Sequence, residues 1–167
     1  MKMMKRRNAR GFTLVELLVS LAIIGIILAI GIPSLMNALQ KAKQRRSMAD
    51  MRSIATAIES YAIDWRNYPP SAALSIPVLY GGIAYPTTTL GVTKGYITPT
   101  YLKIIPLVDG WNSWFLYNAS DPDYAVVSAG RDGIATEPAR GGPTTNFNID
   151  IVYSDGQFTV YPEGAQN

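Results

Sequence analysis

Residues 10–33 read RGFTLVELLVSLAIIGIILAIGIP, and this stretch decides how the rest of the chain is organised. A basic segment ends at Gly11, and an apolar run then extends from Phe12 to Ile32, with one carboxylate, Glu16, near its start. A helix of that length, at about 1.5 Å per residue, matches the hydrocarbon thickness of a bilayer. A charged side chain inside a membrane costs on the order of 3 kcal/mol or more, so Glu16 needs a reason to be there. Three readings compete for the run. A cleavable secretory signal needs a shorter apolar core and a small-x-small cut site, and Ala29-Ile30-Gly31 satisfies the latter only weakly. A plain transmembrane anchor fits the length and leaves Glu16 unexplained. In the third, the segment is anchor, processing signal and assembly element together.

Composition narrows what the remainder can do. The 167 residues contain no Cys and no His. That removes disulfides, thiol chemistry, Cys/His zinc sites and the commonest general base. No Walker motif occurs, so the chain does not hydrolyse nucleotide to drive itself. The best carboxylate pair for an enzyme is Asp121 with Asp123, on a loop without a partner, so the expectation is a protein that is not an enzyme. The formal charge of +3 arises from Lys2, Lys5, Arg6, Arg7 and Arg10. Without these five, Lys+Arg falls from 15 to 10 against 12 Asp+Glu, leaving about −2 and no basic track for nucleic acid. The basic leader favours a cytoplasmic N-terminus and an outward C-terminal domain. A second cluster, Lys41, Lys43, Arg45 and Arg46, opposes it from the other side.

Gly11-Phe12-Thr13-Leu14-Val15-Glu16, followed by an apolar helix interrupted at Gly25 and Pro33, resembles the class III signal of type IV pilins and pseudopilins over about residues 5–40. The resemblance implies that a prepilin peptidase cuts between Gly11 and Phe12 and N-methylates Phe12, and that the apolar helix stays in the product. It further implies that Glu16 meets the new α-amino group of a neighbouring subunit. An unpaired buried charge is costly, so such a pair favours one axial register between packed helices. The simpler alternative is a Glu that reaches the headgroups from the first helical turn. Pro33 removes a backbone donor and Gly31 weakens the helix beside it, so a kink, or a segment that melts on assembly, is expected around Gly25–Pro33.

Beyond Pro33, Met51, Ile54, Ile58, Tyr61 and Trp65 recur at helical spacing and form one apolar stripe. Asn67-Tyr68-Pro69-Pro70 ends it. Phe12 to Trp65 thus reads as one helix of roughly 80 Å, half in a membrane and half in a soluble domain. Residues 67–108 are rich in Pro, Gly, Thr and Tyr, and read as a long loop with one helical turn near Pro99–Leu102. Tyr80, Tyr85, Tyr96 and Tyr101 either fill a thin core, the favoured reading, or form an aromatic surface. Short β-rich runs follow at Ser113–Tyr117, Tyr124–Ser128, Ile149–Tyr153 and Phe158–Tyr161, with Ser154-Asp155-Gly156 as a hairpin turn. The expected fold is α+β: a long N-terminal helix whose second half packs on a small antiparallel sheet. The divisions are leader 1–11, transmembrane and assembly helix 12–32, soluble helix half 33–66, irregular region 67–112 and sheet 113–167.

The second half sharpens the resemblance. Asp109-Gly110-Trp111-Asn112 is similar to the Asp-Pro-Trp-Gly-Asn loop of G-type pseudopilins of type II secretion, with Gly110 following Asp109 directly. The run from Tyr124 through Ser128-Ala129-Gly130-Arg131-Asp132-Gly133, and the Asp150-Ile151 segment, resemble the same group. The resemblance implies calcium held by Asp132 and Asp150, with Ser128 or nearby carbonyls assisting. Calcium takes about six to eight oxygen ligands in irregular loops. Against it, Asp132-Gly133 also reads as an ordinary turn, Asp150 as a strand-end residue, and no EF-hand spacing is present. The resemblance implies a structural subunit polymerising with itself and with minor pseudopilins. Its partners are the prepilin peptidase, an inner-membrane assembly platform and that platform's ATPase. The expected location is the inner membrane, single-pass, with the C-terminal domain in the periplasm or outside the cell, and a filament after extraction. A surface-pilus pilin for adhesion or motility, or a minor pilin acting as a binding module, stays open as an alternative.

Overall fold

The computed structural model describes residues 11–71, 79–80, 83–84, 88–120, 122–135 and 141–164. Helix α1 runs Leu14–Trp65 and continues through Gly25 and Pro33 without a break. It begins two residues after Phe12, because Thr13 caps it. It ends where Arg66 turns to a positive φ of 58° and donates its N–H to the Ala62 carbonyl at 2.8 Å. The chain divides into two compact units, 1–39 and 40–167.

In residues 11–39 every side chain is exposed. Among the described residues α1 is the one helix long and apolar enough to cross a membrane. A helix that is apolar all round, with nothing among the described residues to cover it, calls for an apolar environment.

Residues 40–167 carry their own core. The α1 segment in this unit buries Gln44, Ser47, Met48, Met51, Ile54, Ala55, Ala57 and Ile58. Met51, Ile54 and Ile58 are completely buried, each contributing about 1.5–3 kcal/mol of apolar transfer. The predicted stripe stops short of its last member. Tyr61 is half-buried, and Trp65 is 64% exposed and stacks on Tyr61 at 6.0 Å between ring centroids.

Among the described residues eight strands follow: β1 Leu79–Tyr80, β2 Ile83–Ala84, β3 Thr88–Thr89, β4 Leu116–Ser120, β5 Asp123–Ser128, β6 Gly142–Thr144, β7 Ile151–Ser154 and β8 Gln157–Pro162. β1 and β2 form a separate hairpin, and the main sheet has the order β3-β4-β5-β7-β8-β6. All its pairs are antiparallel except β6 with β8, so the sheet is mixed rather than purely antiparallel. On one face Phe115, Tyr117, Tyr124, Val126, Ile151, Tyr153 and Phe158 join the α1 stripe in the main core. On the other, Val127, Val152 and Val160 form a second small cluster with Leu116 and Ile149, which explains why consecutive β5 residues are all buried.

The irregular region is more ordered than its composition suggests. A 3₁₀ turn at Leu90–Thr93 leads into a short helix, α2, at Lys94–Ile97, and the turn expected at Pro99–Leu102 follows it, with Tyr101 N–H donating to the Ile97 carbonyl at 2.9 Å. Leu90, Ile97 and Ile105 from this region are core residues. Tyr96 is exposed, Tyr101 is half-buried, and both pack edge-on against Tyr61. The side chains of Tyr80 and Tyr85, and all of Asp121, lie outside the described residues.

Candidate functional site

The helix start is built by a reciprocal pair. Thr13 is the residue before the first helical position, and its Oγ1 accepts the Glu16 backbone N–H at 3.2 Å. The Glu16 carboxylate reaches back, its Oε2 accepting from the Thr13 backbone N–H at 3.0 Å and from the Thr13 hydroxyl at 2.9 Å. This is a capping box, which satisfies helix-terminal donors that have no partner within the helix. It also places the carboxylate at the positive end of the helix dipole. Glu16 is therefore not a bare charge in an apolar run. The T-x-x-E spacing carries this signal, and the sequence reading missed Thr13 by weighing Glu16 alone. Gly11 and Phe12 lie just outside the helix and are exposed.

The head presents a second constellation around Asp109, which is 2% exposed. Its Oδ1 accepts the backbone N–H groups of Trp111 and Ser113, both at 2.9 Å, and its Oδ2 accepts the Ser128 hydroxyl at 2.6 Å. Three donors on one carboxylate hold an otherwise costly buried charge. The neighbouring residues dock the loop on α1. Gly110 N–H donates to Ser47 Oγ at 2.9 Å, and Trp111 Nε1 donates to Gln40 Oε1 at 2.7 Å. A Cβ on Gly110 would sit 2.4 Å from the Lys43 carbonyl oxygen, so the backbone approach there requires glycine. This accounts for Gly110 standing directly after Asp109. The same turn delays the first long strand, since Ser113 donates to Asp109 and Trp114 bridges Val108 before β4 begins at Leu116.

Of the three residues expected at a calcium site, the structure gives Ser128 a different occupation, its hydroxyl being donated to Asp109. Asp132 is exposed and its Oδ1 accepts the Ile134 N–H at 3.0 Å. Asp150 is buried, one residue before the Ser128–Ile151 register pair. The segment between them folds back: Arg131 N–H donates to the Phe147 carbonyl at 2.8 Å. The carbonyl oxygens of Phe147, Asn148 and Ile149 each lie 3.0 Å from where a Gly130 Cβ would be. Among the described residues no three carboxylate, His or Cys groups gather as a metal cluster.

Tyr124 donates its hydroxyl to Glu59 of α1, and both burial and this carboxylate push its pKa far above the ordinary phenol value. It is a neutral strut between sheet and helix. Tyr117 does the same work toward Pro69, donating to its carbonyl at 2.9 Å.

A capped apolar helix emerging from a basic leader, and a head whose sheet packs on the helix's second half, define a pilin-like membrane-anchored subunit. The comparisons with known proteins make this specific. The prokaryotic N-terminal methylation motif matches residues 6–32, and the type II secretion system protein G family matches residues 34–149. The chain belongs to that protein G family. Type II secretion system core protein G of Escherichia coli K12 is 31% identical over 126 residues, covering 74% of this chain and 83% of the relative. The core protein G of Pseudomonas aeruginosa is 30% identical over 144 residues, covering 78% and 89%. That of Vibrio cholerae is 28% identical over 150 residues, covering 88% and 97%. No solved structure matches the chain. The family decides between the alternatives left by the sequence: the chain is a structural subunit of a secretion pseudopilus, processed as a prepilin, rather than a surface-pilus pilin.

Proposed function

We propose that this subunit is cut between Gly11 and Phe12 by a prepilin peptidase, N-methylated at Phe12, and then polymerised through residues 12–39 with Glu16 as its register-setting charge. The observation that carries this reading is the capping box. In the lone subunit the Glu16 carboxylate is held by Thr13, so the helix can rest in a bilayer with its charge partly satisfied. The cut creates an α-amino group on Phe12. The amine of an incoming neighbour offers that carboxylate a full opposite charge, which outcompetes a hydroxyl where water is scarce. Gly25 and Pro33 supply the weak points at which the helix can loosen as subunits pack.

The subunit works in the inner membrane with its head in the periplasm. It polymerises with itself and with minor pseudopilins, and an assembly platform with its own ATPase extracts each subunit, since this chain carries no nucleotide-binding motif. No catalytic role is proposed. The reading extends to calcium: Asp132 and Asp150 would hold the ion through side-chain oxygens, main-chain carbonyls would supply further oxygens, and the ion would contribute a positive charge beside these carboxylates, while Ser128 donates its hydroxyl to Asp109. Calcium bound there raises the melting temperature of the head, and a chelator removes the gain. A melting temperature indifferent to both counts against the site.

The assembly claim is tested with Glu16→Ala and Glu16→Gln in a reconstituted secretion system. Both variants are expected to insert and to be cut, yet to give little or no filament. Wild-type filament yield from either removes the register role of Glu16.

A further inference from the structure

The second basic cluster is not absorbed by the function above. Lys41, Lys43, Arg45 and Arg46 are all exposed, while Gln44, Ser47 and Met48 take the inward positions of the same turns. The four cations therefore fan across the solvent side of α1. Between Gln40 and Ile58 the chain has one acid, Asp50, which reaches Arg46 at 3.6 Å. The other three cations have no ion pair among the described residues. The cluster sits where charge sorting disfavours it, on the side of the membrane opposite the basic leader. It is also continuous with the apolar run. Leu35, Met36 and Leu39 are exposed beyond Pro33, and Lys41 follows two residues later. Eight residues of chain separate it from Ile32, and long basic side chains extend their charge further still.

We propose that Lys41, Lys43, Arg45 and Arg46 form a collar for anionic phospholipid headgroups on the leaflet that faces the head. The occupant follows from continuity with the membrane span and from charge: phosphate oxygens accept from Arg forks and Lys ammonium groups alike. Anionic lipids gathered beside the collar fix the depth of the unassembled subunit and lift the penalty of carrying four cations across. The attraction is screened by salt and falls off within about 10 Å of the surface at ordinary ionic strength. This inference rests on the membrane-anchor reading.

Trp111 is a built-in reporter, because its Nε1 donates to Gln40 at the edge of the collar. The full chain, with Trp65→Phe and Trp114→Phe and its leader cations replaced by Gln, is reconstituted into phosphatidylcholine vesicles containing 30% phosphatidylglycerol, a proportion of about one anionic lipid in three. Trace dansyl-phosphatidylglycerol or dansyl-phosphatidylcholine accepts energy from Trp111. Transfer to the anionic probe is expected to exceed transfer to the zwitterionic one by about twofold at low salt, and to fall to parity at about 1 M salt. Lys41→Gln, Lys43→Gln, Arg45→Gln and Arg46→Gln together abolish the preference while leaving head melting and resistance to alkaline extraction intact. Loss of extraction resistance in the unsubstituted chain would overturn the anchor reading itself. Secure insertion with equal transfer to both probes would overturn the collar alone. Equal transfer together with a filament defect in the fourfold variant would assign the cations to an acidic protein face instead.

Discussion

One helix, α1, serves two regions by opposite physics. Residues 14–39 bury nothing within the chain, whereas the segment from Gln40 to Trp65 supplies eight buried side chains to the head. The first region is apolar on every face and depends on lipid or on other copies of itself. The second is apolar on one face and depends on its own sheet. The polar groups divide in the same way. Glu16 is held by an exposed local cap that a stronger partner can displace, while Asp109 is held by three donors in the interior and is not meant to let go. On the proposed reading, exchangeable charge belongs to assembly and fixed charge to the fold.

Substitutions in the head are expected to change folding without touching processing, and the largest such effect is at Asp109. Asp109→Ala strands the donors of Trp111, Ser113 and Ser128, costing about 3 kcal/mol and lowering the melting temperature of the head by about 10 °C. Near-UV circular dichroism of the detergent-solubilised chain reads this, while the N-terminus is still cut. A processing defect in a folded Asp109 variant would break the division. Gly110→Ala pushes a methyl group into the Lys43 carbonyl and costs about 2 kcal/mol, by the same readout.

The stalk should behave in reverse. Thr13→Val removes the cap and costs about 1 kcal/mol at the helix start, visible as faster amide exchange over the first turn with head melting unchanged. Thr13→Ser restores the protection. The smallest effect is at Asp50, where burial raises the carboxyl pKa more than nearby Arg46 lowers it. The native carboxyl therefore holds its proton to higher pH than the unfolded chain does, and the wild type loses stability as pH rises through that window. Asp50→Asn is expected to be slightly more stable than wild type at neutral pH, with the difference vanishing once the pH falls below the ordinary carboxylate range. A difference that grew on acidification would mean that Asp50 is a net stabilising ion pair.

Much of this was legible in the residues, for identifiable reasons. Apolar length and period mark α1 and its stripe, because burial of Met51, Ile54 and Ile58 imposes a helical spacing. The last stripe member misleads because Trp65 is the final residue of the helix and is exposed, stacking on Tyr61 in place of burial. β5 and β8 were nearly placed by their β-branched and aromatic residues. β6 was missed because Gly142-Pro143-Thr144 carries no such signal and its parallel pairing to β8 is a tertiary choice. Leu90, Ile97 and Ile105 were hidden because their elements are too short to show a period. Asp109 reads as a loop residue, and the partners of its loop (Ser128 to Asp109, Ser47 to Gly110, Gln40 to Trp111) are ones that sequence spacing does not bring together.

The most direct test of the account is the N-terminus of the protein recovered from membranes of cells with an active prepilin peptidase. Intact-mass and N-terminal peptide analysis should give a chain that begins at N-methylated Phe12 and retains the whole apolar helix. A chain that keeps its leader, or one that begins after Gly31 as a secretory signal would leave it, would contradict it.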